Sequence, residues 1–211
     1  MPMPRPAASE STRQELRTQR RMEILQAAAP VFARKGFAGT KITDLMAAAQ
    51  MSQGLLYRYF TSKDDVFIAI VEAAVQHSID IARQAEARSG SPLERLRWFV
   101  ETYLPPQYEH PEYALVVAHA LTNEAVPAEV RVHTSRYLIE FIGIIRDLIS
   151  EGQMAGEIIQ RDAEQLAVHL LAALHGLAAG TAFLGAASAQ EQALRFPEPE
   201  ILLLALRPDH S

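Results

Sequence analysis

Apolar residues recur three and four positions apart along almost this whole chain, and no stretch alternates at period two for long enough to make a strand. That period commits the chain to an all-α fold, in which apolar helix faces bury one another. Glycine and proline divide the pattern. A first helix is expected over 14–35, with Ile24, Leu25, Ala28, Val31 and Phe32 on one face, a kink at Pro30, and Gly36 as its stop. Thr40 or Thr43 can cap a second helix to about residue 49, and Ser52 can cap a third over 53–60. Ser62 caps a fourth that reaches about residue 87, with Asp64 and Asp65 on its positive end. Ser91 and Pro92 open a fifth, which Pro105 and Pro106 are expected to stop after residue 104. Further helices are expected over 111–121, 127–151, 162–187 and 198–206, about nine in all.

The 211 residues, 49% hydrophobic and 21% charged, suffice for a sizeable core. The chain has no cysteine, which excludes disulfides, thiolate zinc sites and a cysteine nucleophile and permits a reducing compartment. The opening MPMPRPAASESTRQ lacks the apolar region of a signal peptide, so residues 1–13 are expected to be a disordered tail and the protein cytoplasmic. Residues 165–190 carry no charge and are long enough to span a bilayer. They are rich in alanine and glycine and include Gln165, His169 and His175, so a buried helix of a bundle or dimer is expected there, and no membrane partner.

The net charge of −5 conceals a division. Residues 1–63 hold ten Lys/Arg against four acids, a net +6, and residues 64–211 hold ten against twenty-one, a net −11. A basic head on an acidic body suggests that the head binds a polyanion and the body does something else.

The stretch QMSQGLLYRYFTSK, residues 50–63, crowds Tyr57, Tyr59 and Phe60 around Arg58, with Lys63 just after. Two short helices behind a longer one make a helix-turn-helix, whose second helix enters the DNA major groove by its N-terminal end, here Ser52, Gln53 and Gly54. Gly54 allows close backbone approach, and the amide of Gln53 suits a base edge, adenine above all. Leu56 and Phe60, four apart, should pack on the first helix, while Gln53 and Tyr57 lie on another face beside Arg58. The hydroxyls of Tyr57 and Tyr59 and the ammonium of Lys63 suit phosphate.

Residues 20–67 resemble the TetR family of bacterial repressors. The likeness rests on Ile24, Leu25, Ala27, Ala28, Phe32, Gly36, Phe37, Ser52, Gly54, Leu56, Tyr57, Tyr59, Phe60 and Lys63 in register. It implies a DNA-binding head over 14–62 and a helical body over 63–211 that binds a ligand and dimerises. It also implies that Thr43, Ser52, Gln53, Gly54, Tyr57, Arg58, Tyr59 and Lys63 face double-stranded DNA. Two positions depart from the family pattern. Gln50 stands at a turn usually held by glycine, at a cost of about 1 kcal/mol if φ is positive there. Lys41 stands where a capping threonine is usual, with Asp44 as its partner and Thr40 as a substitute.

In the body, Trp98, Tyr103, Tyr108, His119, Asn123, Phe141 and His175 are candidate pocket residues for a small, mostly apolar effector, against the plainer reading that each is ordinary core. Leu138, Ile142, Ile145 and Ile149 form an apolar stripe, and Leu174, Gly176 and Gly180 lie on a helix apolar nearly all round. Both helices are expected at a homodimer interface, as the resemblance also implies. No HxxxH or HExxH pair, glycine-rich phosphate loop or Gly-x-Ser-x-Gly elbow appears, so neither an enzyme, a metal nor a cofactor is expected. The expected function is a homodimeric repressor on a palindromic operator, released by its effector. The alternatives are an activator and a regulator without a ligand.

Overall fold

Helices account for every regular element in the computed structural model, which describes residues 10–188 and 198–208. Among the described residues they are α1 Glu10–Gly39, α2 Ile42–Ala48, α3 Gln53–Leu56, α4 Lys63–Ala87, α5 Pro92–Glu109, α6 Pro111–Thr122, α7 Ala128–Met154, α8 Ala163–Ser188 and α9 Pro199–Leu203, followed by a 3-10 turn, Leu204–Leu206. The fold class is the all-α one expected from the apolar period.

Three boundaries and one kink differ from the sequence expectation. α1 starts at Glu10, so residues 10–13 are helical rather than tail, and Ser11 Oγ donates to Glu15 Oε1 at 2.9 Å one turn on. Residues 1–9 lie outside the described residues. The backbone of α1 keeps helical φ and ψ through Pro30, where a kink was expected, and breaks at Gly36, the expected stop, at φ 67 and ψ 175, a conformation nearly restricted to glycine. α3 ends at Leu56, not residue 60. The N–H groups of Arg58 and Tyr59 bond carbonyls three residues back, at 3.2 and 2.9 Å, which tightens the helix into a turn. α5 passes through Pro105 and Pro106 to Glu109. The carbonyls left without donors belong to Glu101 and Thr102, exposed and half-buried, where water can satisfy them.

The chain divides into two compact units after Ile70, within α4. In the first, Ile24, Leu25, Ala28 and Phe32 of α1 are buried together with Leu45 of α2 and Leu56 of α3. Phe67 of α4 meets Phe32 edge-on at 5.1 Å and Phe37 at 5.0 Å. Such pairs add about 0.5–1.5 kcal/mol each beyond burial.

In the second unit α8 packs on α5, α6 and α7, and α9 on α5 and α8. Ala167, Leu170, Leu171, Leu174 and Ala178 of α8 are buried, which is where the uncharged segment goes. No helix among the described residues is long and apolar enough to cross a membrane. Gly152, buried near the end of α7, lets the following connector close over it. A Cβ there would lie 2.4 Å from Ile158 Cδ1, inside any permissible contact. The N–H of Ile159 then bonds the carbonyl of Leu206 at 2.9 Å, and Arg97 pairs with Glu200 at 2.6 Å, so α9 is held from two sides.

Gln50 has φ 51, the only positive φ outside glycine among the described residues. An L-residue in that region is strained, by about 1 kcal/mol. Gln50→Gly should therefore stabilise the protein by about 1 kcal/mol, read as a raised midpoint in denaturant unfolding. An unchanged midpoint would mean that the turn carries no strain.

Candidate nucleic-acid interface

The helix-turn-helix begins with a cap of mixed parentage. Lys41 is extended (φ −107, ψ 154), and its backbone N–H donates to Asp44 Oδ2 at 2.9 Å. Asp44 Oδ1 accepts from Lys35 Nζ of α1 at 2.8 Å. The Lys35 ammonium first, and the Lys41 N–H second, hold the Asp44 carboxyl below its ordinary range. An ammonium cannot accept a hydrogen bond, so only the reciprocal half of a capping box forms. Thr40 does not substitute. Its buried hydroxyl donates to the Gly36 carbonyl at 2.7 Å and closes the break after α1.

After the turn at Gln50, Ser52 takes the extended conformation that precedes a helix, but its hydroxyl makes no capping bond. Ser52, Gln53, Gly54, Tyr57 and Arg58 are exposed, as is Thr43 on α2. None of the side chains of Thr43, Ser52, Gln53, Tyr57 and Arg58 bonds another described residue. Beneath them Leu56 and Phe60 are sealed from solvent, at 0% and 1% exposure, whereas Tyr57 keeps 44%. The exposed phenol and guanidinium side by side offer a hydroxyl donor and a cation on one surface.

Tyr59 and Lys63 are placed differently. Tyr59 is half-buried, and its carbonyl accepts from Arg21 Nη1 at 3.1 Å. Lys63 Nζ donates to the carbonyls of Phe37 and Thr40, both at 3.0 Å, and lies 4.8 Å from the centre of the Phe37 ring. The ammonium ties the start of α4 to the α1–α2 connection, and one N–H remains for an outside partner. Arg21 counts among the ten cations of the basic head but not among the candidate site residues. Its guanidinium sits 4.2 Å from the centre of the Phe60 ring while it holds the Tyr59 carbonyl. The available signal was its register, four residues before Leu25 on the apolar stripe of α1, where a cation has to be paired.

The body brings together three of its candidate residues. Tyr103 is buried among aromatic rings, Phe99 at 5.3 Å and Phe141 at 5.7 Å. Its hydroxyl lies 3.2 Å from His175 Nε2, and His175 Nδ1 lies 2.7 Å from the Leu171 carbonyl. A carbonyl can only accept, so Nδ1 carries the proton and Nε2 receives the Tyr103 hydroxyl. Burial pushes the Tyr103 phenol up to about 12 and lowers the His175 imidazole from its ordinary value. The remaining candidates go elsewhere or stand apart. Trp98 is half-buried with the Arg88 guanidinium 4.4 Å from its ring. Asn123 Oδ1 accepts from the Ala125 N–H at 2.9 Å and shapes the turn after α6. His119 has its Nδ1 buried with no partner among the described residues, and Tyr108 is half-buried with its phenol shifted upward by burial.

Of the candidate interface residues, Ile145, Ile149 and Leu174 are at 0% exposure within one chain, because α7 and α8 pack on each other. They are core and have no surface to offer a second copy. Leu138, Ile142 and Gly180 are half-buried, and Gly176 is exposed.

Comparison with known proteins places these features. Residues 24–70 match the model of bacterial regulatory proteins of the tetR family. The chain is 29% identical over 140 residues to the HTH-type transcriptional repressor NicS of Pseudomonas putida, covering 64% of each chain. It is 29% identical over 120 residues to the HTH-type transcriptional activator FasR of Mycolicibacterium smegmatis, covering 56% of this chain and 55% of that one. The matches thus span less than two thirds of these relatives. The crystal structure of the MbdR regulator from Azoarcus sp. CIB shares the fold, with a TM-score of 0.74, 20% identity, and coverage of 89% of this chain and 98% of that one.

The half-buried His175, its imidazole held below the ordinary value by desolvation, makes stability depend on pH in a definite direction. Its folded value is depressed, so its contribution is complete above the ordinary value of 6.5 and is lost as pH falls through the folded value. Unfolding measured between pH 7 and pH 5 should show falling stability, with a shallower fall in His175→Gln. Equal slopes in the two proteins would remove His175 as the cause.

Proposed function

We propose that this chain, whose residues 24–70 match the model of tetR-family regulatory proteins, is a transcription regulator of that type, a homodimeric repressor released from a palindromic operator by a small, mostly apolar effector. The observation that carries this reading is the exposed set Ser52, Gln53, Gly54, Tyr57 and Arg58 standing over the sealed Leu56 and Phe60. Gln53 reads a base edge, and Thr43, Ser52, Tyr57, Arg58 and Tyr59 hold phosphates, with Gly54 admitting close approach. Lys63 adds its remaining N–H to a phosphate while it holds the head together. Residues 14–62 form the DNA-binding domain and 63–211 the ligand-binding and dimerisation domain.

The second copy docks on the faces of α7 and α8 turned away from the core. There Val132 and Ile139 are 53% and 70% exposed, Val168 is 47% exposed, and Ala172 and Gly176 are exposed. A Cβ added at Gly143, Gly176 or Gly180 would meet nothing within 4 Å, so a partner helix has room to approach closely. The effector lies against Tyr103, Phe141 and His175, where apolar rings surround one fixed polar pair. It favours a dimer whose heads are spaced differently, and α4, continuous through the division after Ile70, carries the change.

Selection of bound duplexes from a random pool should return a palindrome with half-sites about 34–36 Å apart. Gln53→Ala should relax the choice at one base position, by about 1–3 kcal/mol, while Tyr57→Ala should weaken all sequences alike. Transcription from a promoter bearing that palindrome should fall when the protein is added, and a rise would make it an activator. Ile139→Glu should give monomers in sedimentation at concentrations where the parent is dimeric; a dimer that persists would move the interface elsewhere.

A further inference from the structure

α1 is longer than the head it serves. The family model begins at residue 24, yet the helix begins at Glu10, and residues 11–19 are exposed on every side. At about 1.5 Å per residue, some 15 Å of helix overhangs the packed unit. At 100° per residue, Arg13, Arg17 and Arg20 fall within about 60° of arc and make one ridge along it. Glu15 lies on the far side, bonded by Ser11, and Arg20 shares one Nη with Glu23 at 2.5 Å while both side chains stay more than two-fifths exposed.

The base of the ridge flanks the exposed DNA-reading set at both ends. Arg20, Glu23, Ile24 and Ala27 face residues 48–51 across a hollow of about 260 Å³, beside the turn that leads into Ser52. Arg21 reaches the carbonyl of Tyr59, just past Arg58. A duplex engaged by Gln53, Tyr57 and Arg58 therefore has this overhang beside it.

We infer that the Arg13–Arg17–Arg20 ridge is a second DNA-binding surface that takes phosphates of the duplex flanking each half-site. The inference rests on the DNA-binding reading above. Guanidinium–phosphate contacts carry no base preference, so the ridge lengthens the operator without adding sequence to it. The 15 Å overhang corresponds to roughly four or five base pairs.

The test uses the full chain and a duplex selected by it, prepared with minimal flanks and with five further base pairs at each end. The parent should bind the longer duplex about tenfold more tightly at low salt. Arg13→Gln/Arg17→Gln, which leaves the Arg20–Glu23 pair in place, should lose that gain, and its slope of log affinity against log salt should fall by about 0.9 for each contact removed. Arg13→Lys/Arg17→Lys should keep both. The Gln variant matching the parent on both duplexes and in slope, while Tyr57→Ala weakens binding, would overturn the ridge alone. A parent that selects no duplex at all would overturn the DNA-binding reading and the ridge with it. A Gln variant changed in oligomeric state but not in salt slope would place the ridge at a protein interface and overturn the proposal.

Discussion

The burial of Leu56 and Phe60 beneath a helix only four residues long is the constraint on which the head depends. A helix that short cannot nucleate and hold itself in water. Packing supplies what propensity lacks, and it fixes the rotation of the segment at the same time. With Leu56 and Phe60 inward, Tyr57 and Arg58 turn outward, and Gln53 is exposed at the first position of the helix. The Arg21 guanidinium over Phe60 and on the Tyr59 carbonyl pins the far end of the turn. The surface is thus a consequence of the core beneath it.

The positive charge of the first 63 residues divides between two tasks. Lys63 holds two carbonyls, Arg21 one carbonyl and a ring face, and Lys35 the carboxylate of Asp44. Arg17, Arg34, Lys41 and Arg58 remain exposed. A count of cations alone therefore overstates what is available to a polyanion, although it points to the right part of the chain. The structural cations also fix how α1, α2 and the first turn of α4 meet, which sets where the exposed ones stand.

In the body, one polar pair sits within aromatic and aliphatic packing, and its tautomer is set by a backbone carbonyl rather than by solvent. Such a pair is costly to bury unless both partners are satisfied, and both are. α7 and α8 use one face on each other, and among the described residues Val132, Ile139 and Val168 on another face are exposed. The residues that looked most like an interface, Ile145, Ile149 and Leu174, lie on the first of these faces.

How much was legible follows the range of the interactions. The helix-turn-helix, the caps at Ser62 and Ser91, and the inward turn of Leu56 and Phe60 are set by residues at most four positions apart, and those could be read directly. The expected stop at Pro105 and Pro106 was not met: α5 runs on to Glu109, with the freed carbonyls on the exposed Glu101 and the half-buried Thr102. The same limit applies to the sites. Tyr57 and Arg58 follow from helical register, but the partners of Lys63 lie 23 and 26 residues away, Arg21 reaches the turn after α3, and His175 meets Tyr103 of α5. The sequence alone determined the class of fold and the outward place of Tyr57 and Arg58, because both rest on local periodicity. Only the tertiary structure decided which cations stay exposed and which apolar residues of α7 and α8 are exposed among the described residues, because both depend on which distant helix arrives to take the other partners.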